Sequence, residues 1–352
     1  MSMAPTSTQV ASHAAHDDRA RRRRLAIALV VLAIVLSVAG LVVGSQGWSW
    51  QAFVSDVSGP QADLIVGQIR TPRTLGALMI GALLGLAGAV AQGLFRNPLA
   101  DPYLLGSAAG ASFAVVLVLA ASTLTGHAIS LATAALLSRI GIVAAAFAGA
   151  LAGVLLTLML ARGAQQGVRL LLAGVVVGVV LGAAGDLVTT ISPDALRGKQ
   201  VFMLGSTGFL GWGSVWVLLA GLAIALPITC RLARVLDALS LGDDTAASLG
   251  LPLPRIRLTL VVLMALCTGL AVSQSGLVAF VGLVAPHLVR RYAPAPQSYT
   301  LAASAGMGGV LLLAADVLAR GLIAPQELPV GVLTAVLGGG YLLWLLHRRR
   351  VG

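Results

Sequence analysis

The sequence predicts an all-α polytopic membrane protein of about ten transmembrane helices, and three observations carry that prediction. Apolar residues make up 58% of the 352 and charged residues only 10%, where an ordinary soluble domain is about a quarter charged; mean hydropathy is +0.96. Stretches of about 20 apolar residues, enough to cross a hydrocarbon core of about 30 Å as helix, recur along nearly the whole chain. These runs are continuous and lack the period-2 alternation of a membrane barrel. Because backbone polar groups in lipid must be satisfied internally, helices follow.

In chain order, residues 1–24 carry His, Asp, Ser, Thr and Arg without apolar periodicity and predict a disordered cytoplasmic tail. The apolar run after Arg24 is long enough to span and has no convincing small-residue cleavage site, so it reads as a retained first helix, not a cleaved signal. The membrane domain then occupies 25–350, with spans expected at 25–44, 74–95, 104–121, 140–161, 170–191, 213–233, 256–275, 277–290, 299–319 and 328–346. The segment 277–290 is short for a span and admits a partly re-entrant reading. Ten crossings put both termini on one side, and Arg21 to Arg24 with Arg348 to Arg350 mark that side as cytoplasmic by the positive-inside rule. Of the 23 Lys and Arg, 17 then fall inside and only Arg70, Arg73, Arg139, Arg197, Lys199 and Arg320 outside. The net charge of +11 is mostly this topogenic arginine, scattered among loops, which argues against a nucleic-acid face.

Glycine, at 42 residues, is informative in two places. Gly174, Gly178 and Gly182 repeat every four residues, as do Gly81 and Gly85, and such stripes let helices approach closely. A stripe also leaves room for a pathway, and the fifth span is the first candidate to line one. Cys230 and Cys267 lie within or at the ends of apolar spans with no CxxC and no nearby His, so neither a disulfide nor a metal site is expected.

The most informative polar interruption between spans runs from Arg234 to Pro254. A compact Gly- and Asp-bearing element there reads as a surface made to be gripped by a soluble partner. Carriers coupled to protons or sodium keep ionisable groups at mid-membrane. Here only Asp186 and Asp316 lie within spans, both nearer the outer end, and Arg320 offers Asp316 a partner one turn on. An ion-coupled secondary transporter is the competing reading, and it requires uptake that collapses with the membrane potential. A phosphate-binding loop needs GxxxxGK[ST], yet the only lysine, Lys199, is followed by Gln200. ATP hydrolysis would therefore fall to a separate subunit. No paired carboxylates or Ser with His stand at catalytic spacing, so the chain is not expected to be an enzyme.

From about Gln68 to Leu346 the sequence resembles the FecCD family of ABC-importer permeases. The matching pieces are IRTPRTLGALMIGALLGLAGAVAQGLFRNPLADPYLLGSAAGA from Ile69, LLLAGVVVG from Leu170 and MLGSTGFLGW from Met203. They continue with LSLGDDTAASLGLP from Leu239, GLVAFVGLVAPHLVR from Gly276 and ADVLARGLIAPQELPVGVLTAVLGGGYLLWLL from Ala315. Two departures are visible: YAPAPQSY at 292–299 lacks the family's Gly-x-Asp-His-Arg, and Gly339-Gly340 stands where Gly-x-Pro is usual. The resemblance implies the type II ABC importer permease fold, a homodimer with a central pathway, and placement in the lipid of the bacterial cytoplasmic (inner) membrane. It implies two cytoplasmic ATPase subunits that bind the ATP and Mg, no cofactor in this chain, and an extracytoplasmic binding protein that delivers cargo. The cargo implied is a metal chelate moved by alternating access, iron-siderophore first, then haem, then cobalamin.

The same resemblance implies residue roles. Within 234–254, Leu241, Gly242, Asp243, Asp244, Leu249 and Gly250 would form the coupling element that seats on the ATPase. Capping of a helix N-terminus would account for the two aspartates as well. Arg70, Arg73 and Arg320 would meet carboxylates of the binding protein, since the guanidinium fork pairs bidentately with them; a snorkelling or topogenic arginine, or a pair with Asp316 for Arg320, is the alternative. Asn97, Pro98 and Leu99 resemble the cytoplasmic gate, and Thr189 and Thr190 fall near the periplasmic one. A helix stop would explain the first group and threonines bonding back to their own helix the second. His287 reads as structural.

Overall fold

The structure, a computed structural model, describes residues 7–44, 47–48, 50–124, 131–163 and 167–350. Among these the chain is helical, with one isolated bridge between Gly44 and Gly47 in place of any sheet. Seven stretches are long and apolar enough to cross a membrane. They lie in α1 (Ser7–Val42), α3 (Thr71–Phe95, prolonged backwards by a π-helical turn Asp63–Arg70), α5 (Leu131–Leu160), α6 (Gly167–Ile191), α8 (Trp212–Arg231), α11 (Leu253–Ser275) and α13 (Gln297–Gly321). Two shorter apolar helices, α4 (Ser107–Leu124) and α14 (Val330–Arg350), and the 12-residue α12 (Val281–Tyr292) account for the other three expected spans.

The short helix α12 rises only about 18 Å. Ahead of it Gly276 to Phe280 are unwound, with Gly276 at φ 69 and Phe280 at φ 67, and the helix alone is shorter than a hydrocarbon core of about 30 Å. Irregular backbone at that depth is tolerated only where protein satisfies it. Here Leu277 N donates to Phe202 O at 3.0 Å, Ser206 N to Ser275 O at 2.7 Å, and Tyr103 Oη to Val278 O at 3.2 Å. The segment expected at 277–290 is thus a short unwound lead followed by helix.

Four helices missing from the span prediction lie in the connections: α2 (Trp50–Ser58), α7 (Pro193–Leu204) and the split pair α9 (Ala233–Ser240) and α10 (Asp243–Ser248) inside the polar element. The helix α7 starts on Ser192, whose hydroxyl accepts from Ala195 N at 3.3 Å with Pro193 at the first helical position, a capped start that the sequence spells out. The π-helical turn precedes Pro72, and Thr71 N and Oγ1 both donate to Val66 O there. The second span consequently begins earlier than 74. In the expected tail, α1 reaches back to Ser7, where a lack of structure was predicted; residues 1–6 lie outside the described residues. The base of that extension is tied down, since Arg22 donates to Pro294 O at 3.0 Å and Tyr299 Oη donates to Arg22 O at 2.7 Å.

The core is built on α3. Of its most apolar stretch 83% is buried, against 11% for α1 and 22% for α6, so α3 is central and the other two are peripheral. Close approach is possible because the stripe holds no side chains: a Cβ on Gly85 would lie 2.1 Å from Ser304 O, and one on Gly81 2.2 Å from Gly308 O, both on α13. Around this contact Ile80, Leu83, Leu84 and Leu86 of α3 pack with Leu260 and Met264 of α11, Leu301 of α13 and Leu236 of α9.

Candidate coupling and docking sites

The polar element sits at the C-terminal end of α3. Its helix α9 buries Leu236 and Leu239 against the core, and Asp237 Oδ1 accepts from Gln297 N, the first residue of α13, at 3.0 Å. Gly242, at φ 118 and ψ 155, and Gly250, at φ 73, make the turns on either side of α10. The first of these conformations is essentially restricted to glycine. At neither position would a Cβ meet anything closer than 3.8 Å, so the requirement is one of backbone and not of space.

Asp243 does not cap α10 through its side chain. Its Oδ1 accepts from Arg96 at 2.8 Å and pairs with Arg257 at 2.7 Å, joining the end of α3 and the start of α11 to the 234–254 element. The Arg257 hydrogen bond, with the Arg96 charge beside it, holds this carboxyl below its ordinary value against the opposing effect of partial burial. Asp244 is exposed. Leu241 and Leu249 flank α10 at 70% and 63% exposure. Two bare leucines around a polar turn form the kind of apolar anchor that a protein partner covers.

At the opposite end of α3, Arg70, Arg73 and Arg320 come together at one cavity of about 270 Å³, which Asp56 and Glu327 also line. None of them offers a free fork in this arrangement. Arg70, 7% exposed, pairs with Asp56 and donates to Leu41 O at 3.0 Å. Arg73, 8% exposed, reaches Asp316 at 3.1 Å and Glu327 at 2.9 Å. Arg320 pairs with Asp316, one turn back, and donates to Gly40 O at 2.8 Å. Thr207 Oγ1 donates to Asp316 as well. Two guanidiniums and two carboxylates balance in the Arg73, Arg320, Asp316 and Glu327 cluster, which is the condition for holding charge in a low dielectric. The exposed fork expected of Arg73 and Arg320 is therefore occupied from within.

At the C-terminal end of α3 the chain turns on Arg96, at φ 50, and Asn97 Oδ1 accepts from Leu99 N at 2.9 Å. That is a helix stop reinforced by an Asx turn, with Leu99 exposed. Thr189 and Thr190 donate to Asp186 O and Leu187 O at 2.7 and 2.6 Å within α6. The α6 glycines separate into two kinds: a Cβ on Gly174 would lie 2.1 Å from Leu104 O, whereas Gly178 and Gly182 face open space. Asp186 pairs with Lys199 of α7, so both intramembrane aspartates have a cation. The His287 ring meets Tyr341 edge-on at 5.9 Å. Cys230 and Cys267 are free thiols, and no group of His, Cys, Asp and Glu suited to a metal occurs among the described residues.

Sequence reasoning missed Arg96 and Arg257, Asp56 and Glu327, and Thr207. A weak signal existed for two of them. Glu327 is the only glutamate among 12 acidic residues, and with Asp56 it lies on the side predicted to be outer, where charge is scarce.

The FecCD transport family profile matches residues 29–348. The hemin transport system permease protein HmuU of Yersinia pestis is 38% identical over 340 residues, covering 95% of this chain and 98% of that protein. The vitamin B12 import system permease protein BtuC of Pectobacterium atrosepticum is 36% identical over 337 residues, covering 95% and 97%. A solved structure described as an inward-facing, metal-chelate type ABC transporter superposes with a TM-score of 0.78 over 93% of this chain and 99% of that one, at 24% identity. At that identity the likeness concerns the fold.

Proposed function

The chain belongs to the FecCD transport family, and from that premise we propose that it is the permease of an ATP-driven importer in which two copies form one pathway by alternating access. It is a transport subunit and not an enzyme. Two cytoplasmic ATPase subunits would seat on α10, and both termini would lie on that same cytoplasmic side. One observation carries the coupling role: Leu241 and Leu249 stand exposed beside a turn that Asp243 locks to α3 and α11. A soluble partner pressing there moves the central helix directly. The open face of α6 at Gly178 and Gly182 is the side assigned to the pathway and the second copy.

The cargo assigned is a metal chelate. Relatives named for hemin and vitamin B12 favour a tetrapyrrole-type chelate over the siderophore that sequence resemblance placed first. At the outer end, a carboxylate of a substrate-binding protein would enter the arginine cavity by displacing Glu327, whose side chain is 41% exposed, from Arg73.

The test is Gly242→Val, which forces a branched residue into a glycine-only turn at a cost of about 1–3 kcal/mol without a clash. Membrane insertion and ATPase turnover in the assembled transporter are expected to persist while uptake falls at least about tenfold. Uptake equal to wild type would remove the coupling role from this element.

A further inference from the structure

We propose that the groove between α12 and α14 binds one anionic phospholipid, from the leaflet on the α10 side of the membrane. Each helix contributes a stripe to it: Val284, Leu288 and Arg291 on α12, and Leu337, Tyr341 and Arg348 on α14. Residues three, four or seven apart share a helix face, so both stripes pass without a break from apolar to cationic. The apolar part, walled also by Leu311 and Ala315 of α13, is a half-open cavity of about 210 Å³, and the cationic part is a separate, more open cavity of about 580 Å³. From Val281 to Arg291 is ten residues, about 15 Å of rise, which is half of a hydrocarbon core of about 30 Å.

The cationic end is positioned and unneutralised. Arg290, also at this end, donates to Gln92 Oε1 on α3, one turn from the Arg96 that holds Asp243 of α10, which places it on the α10 side. Arg291 and Arg348 lie over the Trp344 ring at 6.0 and 5.4 Å. Among the described residues no carboxylate pairs with any of the three arginines. Guanidinium forks match phosphate oxygens, and basic pockets between spans on this side receive anionic head groups. Trp344, half exposed, stands where aromatic side chains mark the membrane interface. Tyr341 Oη is buried with no hydrogen-bond partner among the described residues, so it has a proton to offer an ester carbonyl of the lipid. A free anion would leave the apolar run empty, and a zwitterionic lipid would leave the arginine charge unbalanced. The site depends on the chain lying in a bilayer and not on what it transports.

The full chain, purified in detergent, is titrated with phosphatidylglycerol or phosphatidylcholine and its bound lipid counted by native mass spectrometry. Wild type is expected to retain one phosphatidylglycerol in preference to phosphatidylcholine. Both arginines are at the surface, so Arg291→Gln with Arg348→Gln is expected to keep the fold and to lose about thirtyfold in that preference. Leu337→Trp, which fills the apolar run and leaves the charges in place, is expected to expel the lipid as well. No preference in wild type, or a preference untouched by the double variant, would overturn the proposal. Full competition by glycerol phosphate would do the same, because it would show a head-group site without a chain site.

Discussion

At the scale of single residues, the buried charge cluster decides what mutations will report. Arg73→Glu would place a third carboxylate against Asp316 and Glu327 and leave Arg320 alone to balance them. Breaking a buried pair costs about 3–5 kcal/mol, so this variant is expected to lower the yield of folded protein, read by fluorescence-detected size exclusion, before it says anything of docking. Glu327→Gln is the cleaner probe. It frees one face of Arg73 at the cavity, and docking of the binding protein is expected to tighten a few-fold at low salt and less at high salt; unchanged or weaker docking would count against the cavity as the contact. Part of this cluster was legible in the sequence. Asp316 and Arg320 are four apart on one helix and pair as expected. Arg73 was not, because its partner lies 243 positions away and local spacing holds no record of that contact.

At the scale of elements, the two glycine stripes looked alike in the sequence and behave differently. Gly85 is walled by the Ser304 carbonyl, while Gly178 has nothing near it. Gly85→Leu is therefore expected to abolish the folded protein, since overpacking against backbone cannot be relieved by rotating a side chain. Gly178→Leu is expected to leave folding intact and to reduce uptake, if α6 lines the pathway. Equal expression of the two variants would contradict the packing described for α3 and α13. All ten apolar segments correspond to helices because continuous hydropathy reports span existence directly. Their ends were less legible. The start of the second span depends on the missing N–H of Pro72 and the π-turn before it, and the unwound lead into α12 depends on acceptors and donors supplied by Phe202 and Tyr103, neither of which leaves a periodic trace.

At the scale of the whole molecule, the proposed function gives this chain a conduit and leaves the driving step to a separate ATPase. Asp186 and Asp316, the two carboxylates expected within spans, are each matched by a cation, which argues against either as a proton carrier. In sealed vesicles containing this chain alone, an imposed proton or sodium gradient is expected to produce no accumulation of a metal chelate; addition of the ATPase, the binding protein and ATP is expected to produce it. Accumulation on the gradient alone would favour the ion-coupled reading. The family was visible in the motifs between Gln68 and Leu346, whereas the pairing of Arg70 with Asp56 and of Arg73 with Asp316 and Glu327 was not, because those partners do not lie one helical turn away in sequence. The clamp on Asp243 has a last consequence. Both arginines meet the same carboxylate oxygen, so that atom is a common bearing for two shafts: a thrust arriving at α10 divides between α3 and α11, and a small roll of one carboxylate slackens both linkages in the same instant.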